Sequence, residues 1–379
     1  MGRGLFAGGI LGLLTAVALA LPAPAQAEGG TLVWGMPAVE TVLDPHVGCG
    51  GLTMNVTFQI YENLWEQDLT QADVTPNEIK PRLAKSWDIS ADGTEYTFHL
   101  REGVKFHDGT PFDAEAVKFN YDRFWKESSP DFYPPAKAYL AYFTKFIKNV
   151  EVIDPMTVKI TLTGPNYEWL RLGVLSCGQP RMISPTAVRK LGNEAMASNP
   201  VGTGPFKFSG MEVGVKITLD RNDDYWGEKA KLDHIIYRPL TDPATRLNAL
   251  RAGEVNMIHE APWDELESLE QENFQIVTNK NTPWIWFISF NMRNELMKDV
   301  RIRKAINMAI DREGLVREVM HGTGTAEYGM LNPGTTAYDP SFRSYPYDPE
   351  GAKKLLAEAG YPNGLELDFD IYQYGTGEL

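Results

Sequence analysis

Residues 84–125 read AKSWDISADGTEYTFHLREGVKFHDGTPFDAEAVKFNYDRFW, and this stretch decides the fold. Apolar and polar side chains alternate over 96–100, after an Asp-Gly turn, and predict a half-buried strand. A second short strand is predicted over 104–107, before a further Asp-Gly turn. Asp113 then stands at the N-cap of a helix whose large apolar residues share one face. This order of elements is typical of an α/β domain.

The same order closely resembles the signature region of the family 5 solute-binding proteins, the extracytoplasmic receptors of peptide, nickel and related ABC importers. Two later segments carry the resemblance further: a glycine-proline loop over 199–206 and the N-x-x-Y-W pattern at 222–226. The resemblance implies an α/β fold of the two-lobe periplasmic-binding-protein (Venus-flytrap) type, with an inserted subdomain in the first lobe.

The resemblance also implies a discontinuous domain organisation. The first lobe is expected to comprise 28–61 and 177–280, interrupted by the inserted subdomain over 62–176. The second lobe is expected over 281–379.

Further elements are predicted from periodicity and capping residues. Helices are expected over 52–64, 241–254 and 299–310. Residues 284–291 (WIWFISFN) form a strand too apolar for a sheet edge, which the family uses as a crossing into the second lobe, and 365–371 alternate like another strand. Family members continue past this point, so the chain is expected to be C-terminally truncated, with an incomplete second lobe.

The first 27 residues predict export. Residues 1–27 contain one early cation, Arg3, an apolar run over 5–21 and a small-residue ending. This is the pattern of a secretory signal peptide cleaved between Ala27 and Glu28, which places the mature chain in the periplasm. An uncleaved membrane anchor is the alternative, because the run is almost long enough to span a bilayer.

Charge and length restrict the partners. The chain has 379 residues and a formal net charge of −14, which argues against nucleic acid and anionic lipid as partners. Its length suffices for two or more hydrophobic cores. The resemblance implies a monomer that binds a small solute, most naturally a peptide, and docks on ABC permease subunits with their ATPase. An oligosaccharide or opine-like solute is the alternative ligand.

Two cysteines remain after the signal, Cys49 and Cys177. In an oxidising compartment an even count suggests a disulfide, and two unpaired buried thiols are the alternative. The resemblance places both cysteines on loops of one cleft wall, and so favours the bridge.

The sequence contains no recognisable catalytic or metal-binding motif. It lacks H-E-x-x-H, C-x-x-C and G-x-S-x-G, and its six histidines are scattered, so no metal or other cofactor is predicted. His107-Asp108 is interpreted as part of a solvated glycine turn, the alternative being a ligand pair. We therefore expect a binding protein and not an enzyme; a secreted enzyme with an unrecognised site is the alternative.

The resemblance implies a ligand site in the cleft between the lobes, where two walls supply apolar area and a few polar groups. The expected ligand contacts are His46, Gly48 and Cys49 from a first loop, Gly178, Gln179 and Arg181 from a second, Trp284 and Trp286 at the crossing, and Tyr328. Arg181 suits a ligand carboxylate or, alternatively, a buried structural ion pair. For each tryptophan the alternative is packing in the hinge core.

Overall fold

The computed structural model describes residues 29–48, 50–67, 79–174, 180–278, 285–331 and 337–370. The predicted signal segment and both cysteines lie outside these ranges, and so do four of the expected ligand contacts (Cys49, Gly178, Gln179 and Trp284). What was predicted for them, including the disulfide, stays a prediction.

The described chain contains both strands and helices, with all of its strands before residue 260 and only helices after it. The strands are β1 Thr31–Met36, β2 Trp65–Gln67, β3 Ile79–Pro81, β4 Ala84–Ile89, β5 Glu95–Leu100, β6 Ile147–Asp154, β7 Thr157–Leu162, β8 Phe206–Glu212, β9 Lys216–Arg221, β10 His234–Pro239 and β11 Met257–Ile258. The helices are α1 Gly51–Ile60, α2 Ala114–Phe124, α3 Pro134–Thr144, α4 Trp169–Leu172, α5 Pro185–Leu191, α6 Pro243–Arg251, α7 Leu266–Gln271, α8 Glu295–Lys298, α9 Val300–Ala309, α10 Arg312–Gly314 and α11 Pro349–Glu358.

Two larger sheets organise the first part of the chain. One has the strand order β11-β1-β10-β9-β8, with β1 parallel to both of its neighbours and the other pairs antiparallel. The other is antiparallel, with the order β4-β5-β7-β6. The second sheet is therefore inserted in sequence between the first strand of the five-stranded sheet and the rest of it. The pairing of β1 with β10 and β11 joins residues before 61 to residues after 177, in agreement with a first lobe made of 28–61 and 177–280; the exact domain bounds stay a prediction.

The four-stranded sheet carries an aromatic core. Trp65 stacks on Phe98 with ring centroids 5.3 Å apart, and Phe143 stacks on Trp169 at 4.7 Å. All four side chains are fully buried, which accounts for much of the hydrophobic stabilisation of this subdomain. The strand predicted over 96–100 is confirmed as part of β5.

The capped helix of the signature region is also confirmed. The Asp113 carboxylate accepts a hydrogen bond from the Ala116 amide at 2.9 Å and begins α2. The strand predicted over 104–107 is wrong. Only one bridge forms there, between Lys105 and Pro111, held by the Phe106 amide on the Thr110 carbonyl and the Phe112 amide on the Val104 carbonyl. The pairing ends at once because the chain turns over 107–110, where the Gly109 amide donates to the Phe106 carbonyl.

The other predicted helices form with changed bounds. α6 begins at the Asp242 cap and α9 at the Asp299 cap, as expected. The helix predicted over 52–64 instead ends at Ile60, because Tyr61 takes up extended backbone and the amide of Gly204 occupies the Ile60 carbonyl at 2.9 Å.

The two strands predicted late in the chain are not formed where the structure describes them. Residues 285–291 and 365–370 have no strand assignment, and Trp286 and Phe287 are more than half exposed. A strand requires a partner for its N–H and C=O groups, and the described ranges provide none for these segments. Helices α9 and α11 pack on each other in this region. None of the helices in the described ranges is long and apolar enough to cross a membrane.

Candidate functional site

The glycine-proline loop shapes the chain around the candidate site. A Cβ at Gly202 would lie 2.1 Å from the Ile60 carbonyl oxygen, and one at Gly204 would lie 2.4 Å from that of Gln59. Only glycine permits this close approach to the end of α1. The loop therefore packs against the end of α1, directly before the residues that line a cavity.

Glu62, just after α1, is a buried carboxylate that accepts four side-chain hydrogen bonds. Its oxygens accept hydrogen bonds from Arg82 (2.6 Å), Tyr225 (2.7 Å), Thr203 (2.8 Å) and Trp226 (2.9 Å). Its exposed fraction is 3 %, so these partners replace water. The sequence analysis did not identify Glu62. The signal for it is a charged residue inside the apolar run IYENLW.

A cavity of about 220 Å³ opens beside this carboxylate. Its lining combines apolar and charged side chains: Met54, Phe58, Tyr61, Glu62, Asn63, Glu66, Gln67, Arg82, Val174 and Arg181. The lining residues come from α1, from residues 61–67 that follow it, from Arg82 between β3 and β4, and from the segment after α4. A concave surface of this composition is typical of small-molecule sites.

Arg181 provides a buried positive charge in this lining. Its Cζ lies 3.5 Å from the centroid of the Phe58 ring, and its Nη1 donates to the Tyr61 carbonyl at 2.8 Å. Burial lowers the pKa of Arg181 to about 9. A negative group placed next to this guanidinium would offset the cost of burying its charge.

His46 lies behind Arg181 and is fully buried. Its Nε2 is 2.7 Å from the Arg181 carbonyl oxygen, and its Nδ1 is 2.7 Å from Nη1 of Arg123. Arg123 in turn pairs with Asp44 at 2.5 Å, and both of those side chains are buried. Burial, followed by the positive charge of Arg123, lowers the pKa of His46 to about 4.

The remaining predicted contacts are distributed over the chain. The Gly48 amide donates to the Asp44 carbonyl at 3.0 Å, in the same loop as His46. Tyr328 lines a second cavity of about 220 Å³, with Arg343 Cζ 4.7 Å from its ring centroid. Trp286 is 55 % exposed. The structure thus brings His46 and Arg181 together, with Gly48 in the loop of His46, and of these three only Arg181 lines the cavity beside Glu62.

The turn at His107 differs from its interpretation as solvated. Its Nε2 lies 3.0 Å from the Gly204 carbonyl oxygen and its amide donates to the Gly202 carbonyl, so the side chain clamps the glycine-proline loop. Asp108 accepts a hydrogen bond from Ser184 at 2.6 Å. Among the residues that the structure describes, no group of three or more His, Cys, Asp or Glu is placed to hold a metal ion.

His46, which is buried, and His107, which is partly buried, predict a loss of stability in acid. Burial lowers the pKa of His46 and of His107 to about 4, against 6.5 in the unfolded chain. Between these two pKa values the unfolded state binds protons that the folded state does not. The free energy of unfolding is therefore highest above pH 6.5 and decreases as the pH falls towards 4. Each histidine is expected to cost roughly 3 kcal/mol over this range.

Urea unfolding between pH 7.5 and 4.5 measures this loss. His46→Gln and His107→Gln should each flatten the pH dependence of the free energy of unfolding. His234→Gln serves as the control, because the His234 side chain is half exposed. If both His46→Gln and His107→Gln kept the wild-type pH dependence, these two histidines would not be the source of the acid destabilisation.

The chain is similar in sequence to a known protein family and to several characterised binding proteins. The family model "Bacterial extracellular solute-binding proteins, family 5 Middle" matches residues 78–378. The glutathione-binding protein GsiB of Salmonella paratyphi A is 35% identical over 357 residues, which cover 94% of this chain and 65% of that protein. Heme-binding protein A of Haemophilus influenzae is 35% identical over 328 residues, covering 83% and 58%. This chain therefore spans less than two thirds of the length of these relatives.

A solved structure agrees with the sequence comparisons. The periplasmic binding protein DppA from Helicobacter pylori, in complex with the peptide STSA, superposes with a TM-score of 0.77 at 31% identity, covering 89% of this chain and 67% of that one. The expected fold of the two-lobe periplasmic-binding-protein type is confirmed. The relatives named here are binding proteins, and DppA is associated with an ABC transporter. This chain is a member of the bacterial extracellular solute-binding proteins, family 5.

Proposed function

We propose that the protein captures a solute, with peptides as the favoured class, and delivers it unchanged to the permease of an ABC importer. The observation that carries the proposal is the packing of the Arg181 guanidinium on the Phe58 ring in the lining of the cavity. Met54 and Val174 add apolar surface to the same lining. A peptide combines apolar side chains with a terminal carboxylate, and both match this lining.

The proposal also includes the other ligand contacts expected from the sequence, on both lobes. In the proposed site Arg181 lines the cavity, the loop of His46 and Gly48 lies behind it, and Cys49, Gly178 and Gln179 extend this wall, with a disulfide from Cys49 to Cys177. The second lobe supplies Trp284, Trp286 and Tyr328, and hinge closure brings the two walls together around the solute. The exported, monomeric protein works in the periplasm after cleavage at Ala27, and it carries out no chemistry on its ligand.

Removal of the Arg181 charge is expected to weaken peptide binding. Arg181→Met should raise the Kd for the peptide Ser-Thr-Ser-Ala about ten- to a hundredfold, because a charged hydrogen bond contributes about 1.5–3 kcal/mol. Isothermal titration calorimetry with the peptide and with its C-terminal amide separates the carboxylate from the rest of the ligand. The amide should bind the wild type weakly and be nearly insensitive to the substitution.

Arg189→Met is the matched control. Arg189 also packs over a phenylalanine, Phe119, at 4.9 Å, but its side chain is 62 % exposed and does not line the cavity. Its loss should leave the Kd within twofold of the wild type. Two results would show that Arg181 does not bind the ligand carboxylate. One is an equal rise in Kd for Arg181→Met and Arg189→Met, and the other is an equal rise in Arg181→Met for the peptide and for its C-terminal amide.

A further inference from the structure

Arg123, on the signature helix α2, is the centre of a sealed polar cluster. Its Nη1 and Nη2 contact the two carboxylate oxygens of Asp44 at 3.2 and 2.5 Å, and its Nε donates to Asn193 at 2.8 Å. Nη1 also lies 2.7 Å from Nδ1 of His46. Arg123 has no exposed surface, so these contacts satisfy it in place of water.

The guanidinium determines which ring nitrogen of His46 carries the proton. An arginine has only donors, so Nδ1 of His46 must accept from Arg123. The proton of the neutral ring then resides on Nε2, which donates to the Arg181 carbonyl oxygen 2.7 Å away. The opposite tautomer would place two donors against each other at Arg123 and two acceptors against each other at Arg181.

Aromatic rings keep this arrangement in place. Phe124 meets the His46 ring edge to face with centroids 5.0 Å apart, and Tyr133 lies 4.8 Å from the Arg123 guanidinium carbon. Neither His46 nor Arg123 can exchange its partner for bulk water, since both are buried. The cluster therefore has one hydrogen-bond pattern, and that pattern ends on the main chain of Arg181.

We propose that Arg123 is a positioning residue for the ligand site: by fixing the tautomer of His46 it fixes the main chain at Arg181, and with it the guanidinium in the cavity. This inference rests on the proposed function. It assigns a role in ligand binding to a residue that does not line the cavity and lies 58 positions away from Arg181 in the sequence.

Nitrogen-15 NMR of histidine-labelled protein tests the tautomer without any ligand. At pH 7 the wild type should show His46 protonated on Nε2, with the resonance assigned by its absence in His46→Gln. In folded Arg123→Met only the Arg181 carbonyl still constrains the His46 ring, and the spectrum should move from the single Nε2-protonated form towards a mixture of the two tautomers. A wild-type ring protonated on Nδ1, or an unchanged tautomer in Arg123→Met, would overturn the inference.

Two substitutions at His46 test positioning independently of Arg123. The glutamine amide in His46→Gln reaches the position of Nε2 and can donate to the Arg181 carbonyl, whereas the shorter asparagine in His46→Asn cannot. We expect His46→Asn to raise the Kd for Ser-Thr-Ser-Ala about tenfold and His46→Gln about threefold or less. Equal Kd values for the two variants, with both folded, would contradict the role.

Amide hydrogen exchange provides a readout that needs no ligand. The Met182 amide, next to Arg181, donates to the Glu62 carbonyl at 2.8 Å. Its exchange should accelerate about tenfold in His46→Asn and less in His46→Gln. If the wild type bound no peptide, the proposed function would fail, and the exchange rates would still decide whether His46 holds this segment.

Discussion

Replacing Arg123 by methionine is expected to lower the free energy of unfolding by about 3–5 kcal/mol, measured by urea denaturation at pH 7.5. The substitution leaves the carboxylate of Asp44, which is 1 % exposed, without its buried counter-charge. It also removes the donors to His46 and Asn193. The loss is large because a buried charge without a partner costs more than the pair contributes.

The double variant Asp44→Asn/Arg123→Met separates the charge from the packing. It removes both charges, so it should recover at least half of the stability that Arg123→Met loses. A double variant as unstable as the sum of the two single variants would show that the pair is not coupled. A loss below about 1 kcal/mol in Arg123→Met would contradict the burial of an ion pair at this position.

Replacing Glu62 by alanine is expected to cost a similar amount, about 3–5 kcal/mol. Four donors lose their acceptor at once, and the Arg82 guanidinium loses its closest carboxylate. These donors come from segments far apart in the chain, so the variant should also loosen the cavity wall and weaken ligand binding. The free energy of unfolding and the Kd for Ser-Thr-Ser-Ala measure the two effects.

Glu66→Ala is the matched control for this prediction. Glu66 contacts the same Arg82, at 3.2 Å, but its side chain is 28 % exposed. A partly solvated ion pair contributes at most about 1 kcal/mol, so the control should lose no more than that. Equal losses for Glu62→Ala and Glu66→Ala would mean that Glu62 is not the organising carboxylate.

Local sequence patterns predicted the α/β character of the chain well. The Asp113 cap and the alternation over 96–100 involve residues within a few positions of one another, so the pattern and the element coincide. The strands predicted over 284–291 and 365–371 were equally local patterns, yet a strand also depends on a partner elsewhere. Their described parts have no such partner in the described ranges.

The two buried polar clusters, around Arg123 and around Glu62, could not be predicted from local sequence patterns. Asp44 and Arg123 are 79 positions apart, and Glu62 and Trp226 are 164 apart. The chain has 50 acidic residues, and periodicity does not show which of them meets a distant donor. A weaker signal was present, since Arg123 stands between aromatic residues in FNYDRFW, on a helix that the structure buries on most sides.

His46 was predicted as a cleft contact from the resemblance, and the structure describes its surroundings in more detail. The resemblance placed it in a cleft loop, and the positions of Arg123 and Arg181 specify what each ring nitrogen binds. Its role as a direct ligand contact stays a prediction. Its role in holding Arg181 follows from the distances.

Native mass spectrometry of the purified protein tests the central claim, capture of a solute without conversion, most directly. The protein is titrated with Ser-Thr-Ser-Ala and with glutathione, and the bound and released molecules are weighed. The account predicts a complex of one solute per chain, weakened in Arg181→Met, from which the solute is released with its mass unchanged. Release of a cleaved or modified solute would contradict it, and so would the absence of a complex with both solutes.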